Sequence, residues 1–162
     1  MPGAVSSIVV LGVGNLLRQD EGVGVHAVRA FESESCGDSV VLVDGGTAVF
    51  QALSPWSQIG KLVVIDALRA GRAPGTISRV SLREVADRTA PALSVHEQGL
   101  LDALSLLEQG GLRIGEIIIY GVEPGETGWG TELSEPVVES LPWLAAMLED
   151  ELSLSRFQES LL

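Results

Sequence analysis

The sequence holds one cysteine, ten basic side chains and few aromatics, at 4% of residues. Each shortage closes off a class of protein. The lone Cys36 cannot form an internal disulfide, so a reducing, cytoplasmic setting is expected. It lies in the polar stretch "SESCGDS", where a structural cysteine is the favoured reading over a nucleophile. With so few rings, the core must be assembled from Val, Leu, Ile and Ala. Ten basic against 22 acidic residues leave a net charge of −12, a field that repels phosphate backbones and anionic lipid. A cation or a positively charged partner segment is the better match. No apolar run approaches the roughly 18 residues of a membrane span, and no cleaved export signal opens the chain, so a soluble protein is expected.

Familiar catalytic motifs are missing as well. "GVGNLLRQDEGVG" (12–24) follows an apolar run and precedes a helical pattern, as a dinucleotide-binding turn would. The third glycine of that turn, however, falls on Leu17, and Asp20 and Glu21 would repel a pyrophosphate at the helix start. Gly12 and Gly14 still imply close backbone approach or unusual dihedrals. There is no G-x-S-x-G elbow, no H-E-x-x-H and no Cys/His zinc cluster. Only His26 and His96 could act as bases, and His26 sits in a helix where a packed or surface role is expected.

What is present is an alternation of strands and helices. The chain has 162 residues, 46% of them hydrophobic, enough for one core without staples. Strands are predicted at Ser7–Val13, Val40–Val43, Leu62–Ile65, Thr76–Val80 and Glu116–Tyr120. The fourth comes too soon after the third for a helical crossover, so it is expected to be an antiparallel edge strand. Helices are predicted from about Gly22 to Ser33, at Ala48–Leu53, over "SVHEQGLLDALSLLEQ", and from about Pro136 to Glu149. Ser94 and Glu97 have capping-box spacing, which places His96 in the first turn of the third helix. The expected fold is a three-layer α/β sandwich, with a mostly parallel five-stranded sheet between helices. It would occupy residues 1–152, with 153–162 a frayed tail.

Functional groups of such sheets gather outside the carboxyl ends of the strands. Glu21 follows the first strand, Asp66 closes the third, and His96 opens a helix whose preceding loop could return to that edge. Two carboxylates and an imidazole form an O/O/N donor set for a divalent cation. Each also has an ordinary explanation: acids complement helix starts, Asp caps strand ends, and a first-turn His can be merely exposed.

Those residues also carry a resemblance. "VLGVGNLLRQDEGVGVHAV", "LVDGGTA", "VVIDAL", "PGT", "SVHEQGL" and "IIIYGVEP" resemble, in order and spacing, the hydrogenase maturation endopeptidases, from about Ile8 to Pro136. The resemblance implies a twisted five-stranded sheet and a protease that removes the C-terminal extension of a [NiFe] hydrogenase large-subunit precursor after nickel insertion. It implies nickel ligands at Glu21, Asp66 and His96, the metal arriving with the substrate and replaceable by other divalent cations. Asp20 is the runner-up ligand, although adjacent residues can hardly face one cleft. Asp44 supports the cleft, contacts substrate or makes an Asx turn, and Asn15 is a further supporting position. The loop 123–136 is either a substrate clamp or a mobile surface loop. A monomer is implied. The rival functions are a non-catalytic metal-sensing chaperone of the precursor and an α/β hydrolase acting on nucleosides.

Overall fold

The computed structural model describes residues 3–31, 39–82, 84 and 95–159, apart from the side chains of 95–98 and 154–159. Strand β1 (Ala4–Val13) leads through a 3-10 turn, Gln19–Gly22, into helix α1 (Val23–Phe31). There follow β2 (Val40–Gly46), α2 (Val49–Leu53), β3 (Trp56–Ala67) and β4 (Ile77–Ser81). Helix α3 (Val95–Gln109), β5 (Arg113–Val122) and α4 (Glu135–Glu159) complete the chain. Cys36 and the Ser94 half of the expected capping box lie outside the described residues.

The five strands form one sheet in the order β2-β1-β3-β5-β4. β1 pairs in parallel with β2 and β3, and β3 with β5. β4 is the expected antiparallel edge, with Ile77 opposite Val122 and Ser81 opposite Ile118. Because side chains alternate along a strand, the apolar runs feed two cores. Ile8, Val10, Val63, Ile65, Ile118, Tyr120 and Val122 meet α1 and α4 on one face. Val9, Leu11, Leu62, Val64 and Ile119 meet α2 and α3 on the other. Each such aliphatic side chain contributes about 1.5–3 kcal/mol on full burial, so both faces are strongly specified.

Two elements outrun their sequence signals furthest. β3 begins at Trp56 rather than Leu62, because it is hydrogen-bonded on both sides and tolerates Ser57, Gln58 and Lys61 within it. α4 runs past the expected end at Glu149, and the backbone of the segment expected to fray is helical to Glu159. The first turn of that extension is held by buried Leu152 and by Glu151, which is 6% exposed. Glu151 gathers three strands: Arg79 of β4 donates to its two oxygens at 2.6 and 3.1 Å, Tyr120 of β5 donates at 2.7 Å, and Lys61 of β3 forms an ion pair with it. Burial alone would raise the Glu151 pKa, but the hydrogen bonds from Arg79, Lys61 and Tyr120 bring it down to about 2.

Candidate functional site

The order of the sheet reverses between β1 and β3, since the crossover after β1 runs outward to β2 and the next returns to β3 on the other side. Ligand sites of open α/β sheets form at that reversal, beyond the carboxyl ends of the two strands. Here the 3-10 turn that carries Glu21 packs against β3. Two glycines permit the approach. Gly14 has φ 141°, and a Cβ there would collide with the carbonyl of Glu21. Gly24 lets α1 sit on the carbonyls of Val13 and Ile65, so the helix start spans the gap between β1 and β3.

Glu21 is partly exposed, with the Arg18 guanidinium 3.9 Å from its carboxylate. Asp66 is the penultimate residue of β3 and 5% exposed, and its Oδ1 accepts from the Ala67 N–H at 2.8 Å. With Ala67, Leu68, Val80, Ile119, Leu100 and Leu101, Asp66 lines a cavity of about 20 Å³, room for about one water. Leu100 and Leu101 belong to α3, so this helix borders the cavity that Asp66 lines. Position 96 is four residues before Leu100, one turn earlier along the same side of the helix. The His96 side chain itself lies outside the described residues. Among the described residues, no three His, Cys, Asp or Glu side chains converge on a point that could hold a metal ion.

Asp20 has a different job from its neighbour. It is fully buried, and both oxygens are engaged. Oδ2 accepts from the N–H groups of Gly125 and Glu126 at 2.8 Å and from the Ser134 hydroxyl at 2.6 Å, while Oδ1 accepts from the Ser134 N–H at 2.7 Å. Burial pushes its pKa up, but the bonds from Ser134, Glu126 and Gly125 outweigh that and hold it below the usual value. The runner-up ligand is thus a buried anchor. Asp44 makes the expected Asx turn, its Oδ1 accepting from Gly46 N–H, and its Oδ2 also takes a double hydrogen bond from Arg29 at 2.9 and 3.1 Å. Asn15 caps the turn after β1 by accepting from Leu17 N–H at 2.9 Å.

The glycine-rich loop after β5 is laced to the first loop rather than free-standing. Arg18 and Gly130 form a parallel bridge, through Gln19 N–H to the Gly130 carbonyl at 2.9 Å and Gly130 N–H to the Leu17 carbonyl at 3.0 Å. Gln19, the one described non-glycine residue at positive φ (47°), also accepts from Gly128 N–H at 3.0 Å. Buried Glu123 accepts from Ala70 N–H at 2.7 Å, and Arg69 donates to Thr127, so the loop after β3 joins them. Sequence reasoning missed the anchoring roles of Asp20 and Glu123. Their one sequence signal is an acid amid glycines, where free backbone N–H groups are plentiful.

The sheet order and the acids at its reversal define the class: a doubly wound α/β protein with an acid-bearing carboxyl edge. The family model described as hydrogenase maturation protease (HycI) matches residues 25–151. The chain belongs to that family, whose members hydrolyse peptide bonds. It is 39% identical to the hydrogenase expression/formation protein HupM of Azotobacter chroococcum mcd 1 over 152 residues, spanning 91% of this chain and 73% of that one. It is 35% identical to the hydrogenase 2 maturation protease of Escherichia coli K12 over 157 residues, spanning 94% and 92%. The solved hydrogenase maturating endopeptidase HybD from E. coli superposes with a TM-score of 0.70 at 31% identity, covering 90% of this chain and 93% of that chain.

Proposed function

We propose that this chain cleaves the C-terminal extension from the large-subunit precursor of a [NiFe] hydrogenase once nickel is in place. In this reading the nickel is part of the substrate, bound during recognition by Glu21, Asp66 and His96. The supporting observation is local: the Glu21 turn packs on β3, whose end carries Asp66, and Leu100 and Leu101 of the helix bearing position 96 line the same small cavity as Asp66. Two carboxylates and an imidazole suit a borderline divalent ion and leave positions for water and substrate. A divalent ion held by Glu21, Asp66 and His96 would supply Lewis acidity, polarising the scissile carbonyl or acidifying an attacking water. The chain's own part is to hold the metal-bearing end of the precursor against a fixed edge. A monomer acting in the cytoplasm completes the proposal.

The test is to incubate the protein with nickel-loaded and nickel-free precursor and to weigh the large subunit afterwards. Loss of a C-terminal peptide from the loaded form alone is expected; equal cleavage of both forms removes nickel from recognition. Glu21→Gln is expected to abolish nickel-dependent cleavage with an unchanged melting temperature, and an unaffected rate takes Glu21 out of the site.

A further inference from the structure

Beside the Glu21 turn the protein displays side chains that its own core does not use. Trp129 is 78% exposed and Leu17 57% exposed. They flank the Arg18–Gly130 bridge, and the Arg18 guanidinium stacks 5.1 Å from the centre of the Trp129 ring. An exposed tryptophan on a slack loop would mean little, but this loop is not slack. Asp20 is buried to hold its base, Gln19 takes positive φ to accept from its middle, and Gly130 is pinned from both sides. A large ring held rigidly in solvent has little ordering entropy left to lose on association, the property that makes Trp and Arg frequent anchors of interfaces.

The geometry points to the Leu17–Arg18–Trp129 shelf as the docking surface for the body of the precursor, taking an apolar side chain flanked by basic residues. The flanking charge follows from the rim. Glu126, Glu132, Glu135 and Glu139 are all exposed on the same loop and the helix start after it, on a chain of net charge −12. Arg18, the shelf's cation, is already committed to the Trp129 ring and to Glu21. Exposed Arg69 adds one positive charge at the loop's edge, beside Thr127, but acids outnumber it, so a Lys- or Arg-bearing segment meets complementary charge and the second face of the ring. Because Leu17 and Arg18 lead directly into the turn that carries Glu21, a precursor seated on the shelf has its metal-bearing end positioned at the switch point. This inference rests on the function proposed above and adds where the precursor is gripped.

The test uses the full chain and nickel-loaded precursor. Trp129→Ala is expected to raise KM for cleavage about tenfold with kcat little changed, and Trp129→Phe to restore most of the affinity. Glu132→Lys is expected to raise KM and to flatten its rise with added salt. Unchanged KM in Trp129→Ala, measured on protein with wild-type melting behaviour, overturns the shelf. A KM for the wild type that is insensitive to salt overturns the basic flank. Should the wild type leave the precursor uncut, the protease reading fails by itself, and the shelf is judged by direct binding to the same precursor. Weaker binding by Trp129→Ala then supports it, and equal binding overturns it.

Discussion

Asp20 and Glu21 are adjacent acids with opposite fates, because successive residues of a tight helical turn point in different directions. Asp20 turns inward and converts three backbone N–H groups and one hydroxyl into a single anchorage. Glu21 stays at the surface of the edge, beside Arg18. Asp20→Asn keeps the shape but sets an amide nitrogen among donors and removes the charge from the hydrogen bonds. It is expected to cost about 2–3 kcal/mol in denaturant unfolding and to speed amide exchange at Gly125, Glu126 and Ser134. The folded carboxyl of Asp20 lies below its usual 3.8, so its contribution is complete above that value and fades as pH falls through the lowered folded value.

At the scale of elements, α4 is docked by polar contacts as well as by its apolar face. Glu151 is the convergence point of Lys61, Arg79 and Tyr120, one from each of three neighbouring strands. Burial and the carboxylate together push the Tyr120 hydroxyl pKa up, so it stays a donor throughout the useful pH range. The Glu151 pKa falls from 4.5 to about 2 on folding. Its stabilisation is therefore present above the unfolded value and is lost as pH drops through the folded one. That drop corresponds to an amount on the order of 3 kcal/mol. Urea unfolding followed between about pH 5 and about pH 2 is expected to show that loss in the wild type, and a much flatter profile in Glu151→Gln. At neutral pH Glu151→Ala is expected to be the harsher change, about 3–5 kcal/mol, since it removes the carboxylate shared by Arg79 and Lys61 and the acceptor of the buried Tyr120 hydroxyl.

For the molecule as a whole, the charge of −12 acts against compactness while favouring a basic partner. Raising salt from about 10 mM to about 150 mM is expected to raise the melting temperature and, in the same range, to weaken precursor binding. Scanning fluorimetry and a binding titration in one buffer series read both; movement in the same direction would contradict this account. Among the described residues no helix is long and apolar enough to cross a membrane.

Much of this design is local and so was legible in the chain. Short, nearly continuous apolar runs pointed to strands covered on both faces, Gly12 and Gly14 marked a tight turn, and the short spacing of Ile77 to Asp66 marked the antiparallel edge. The motifs around Glu21, Asp66 and His96 carried the family, because chemistry at strand ends depends on a few residues at set positions. Strand order was a different matter. Nothing near Lys61, Arg79, Tyr120 and Glu151 announces that they meet, because their meeting depends on which strands become neighbours and how far α4 extends. Nor does the sequence divide the labour between Asp20 and Glu21. That division required the loop after β5 to return and offer its N–H groups to one carboxylate. The residue types determined what could be held at the carboxyl edge, and only tertiary packing decided which acid holds the protein together and which is left facing a partner.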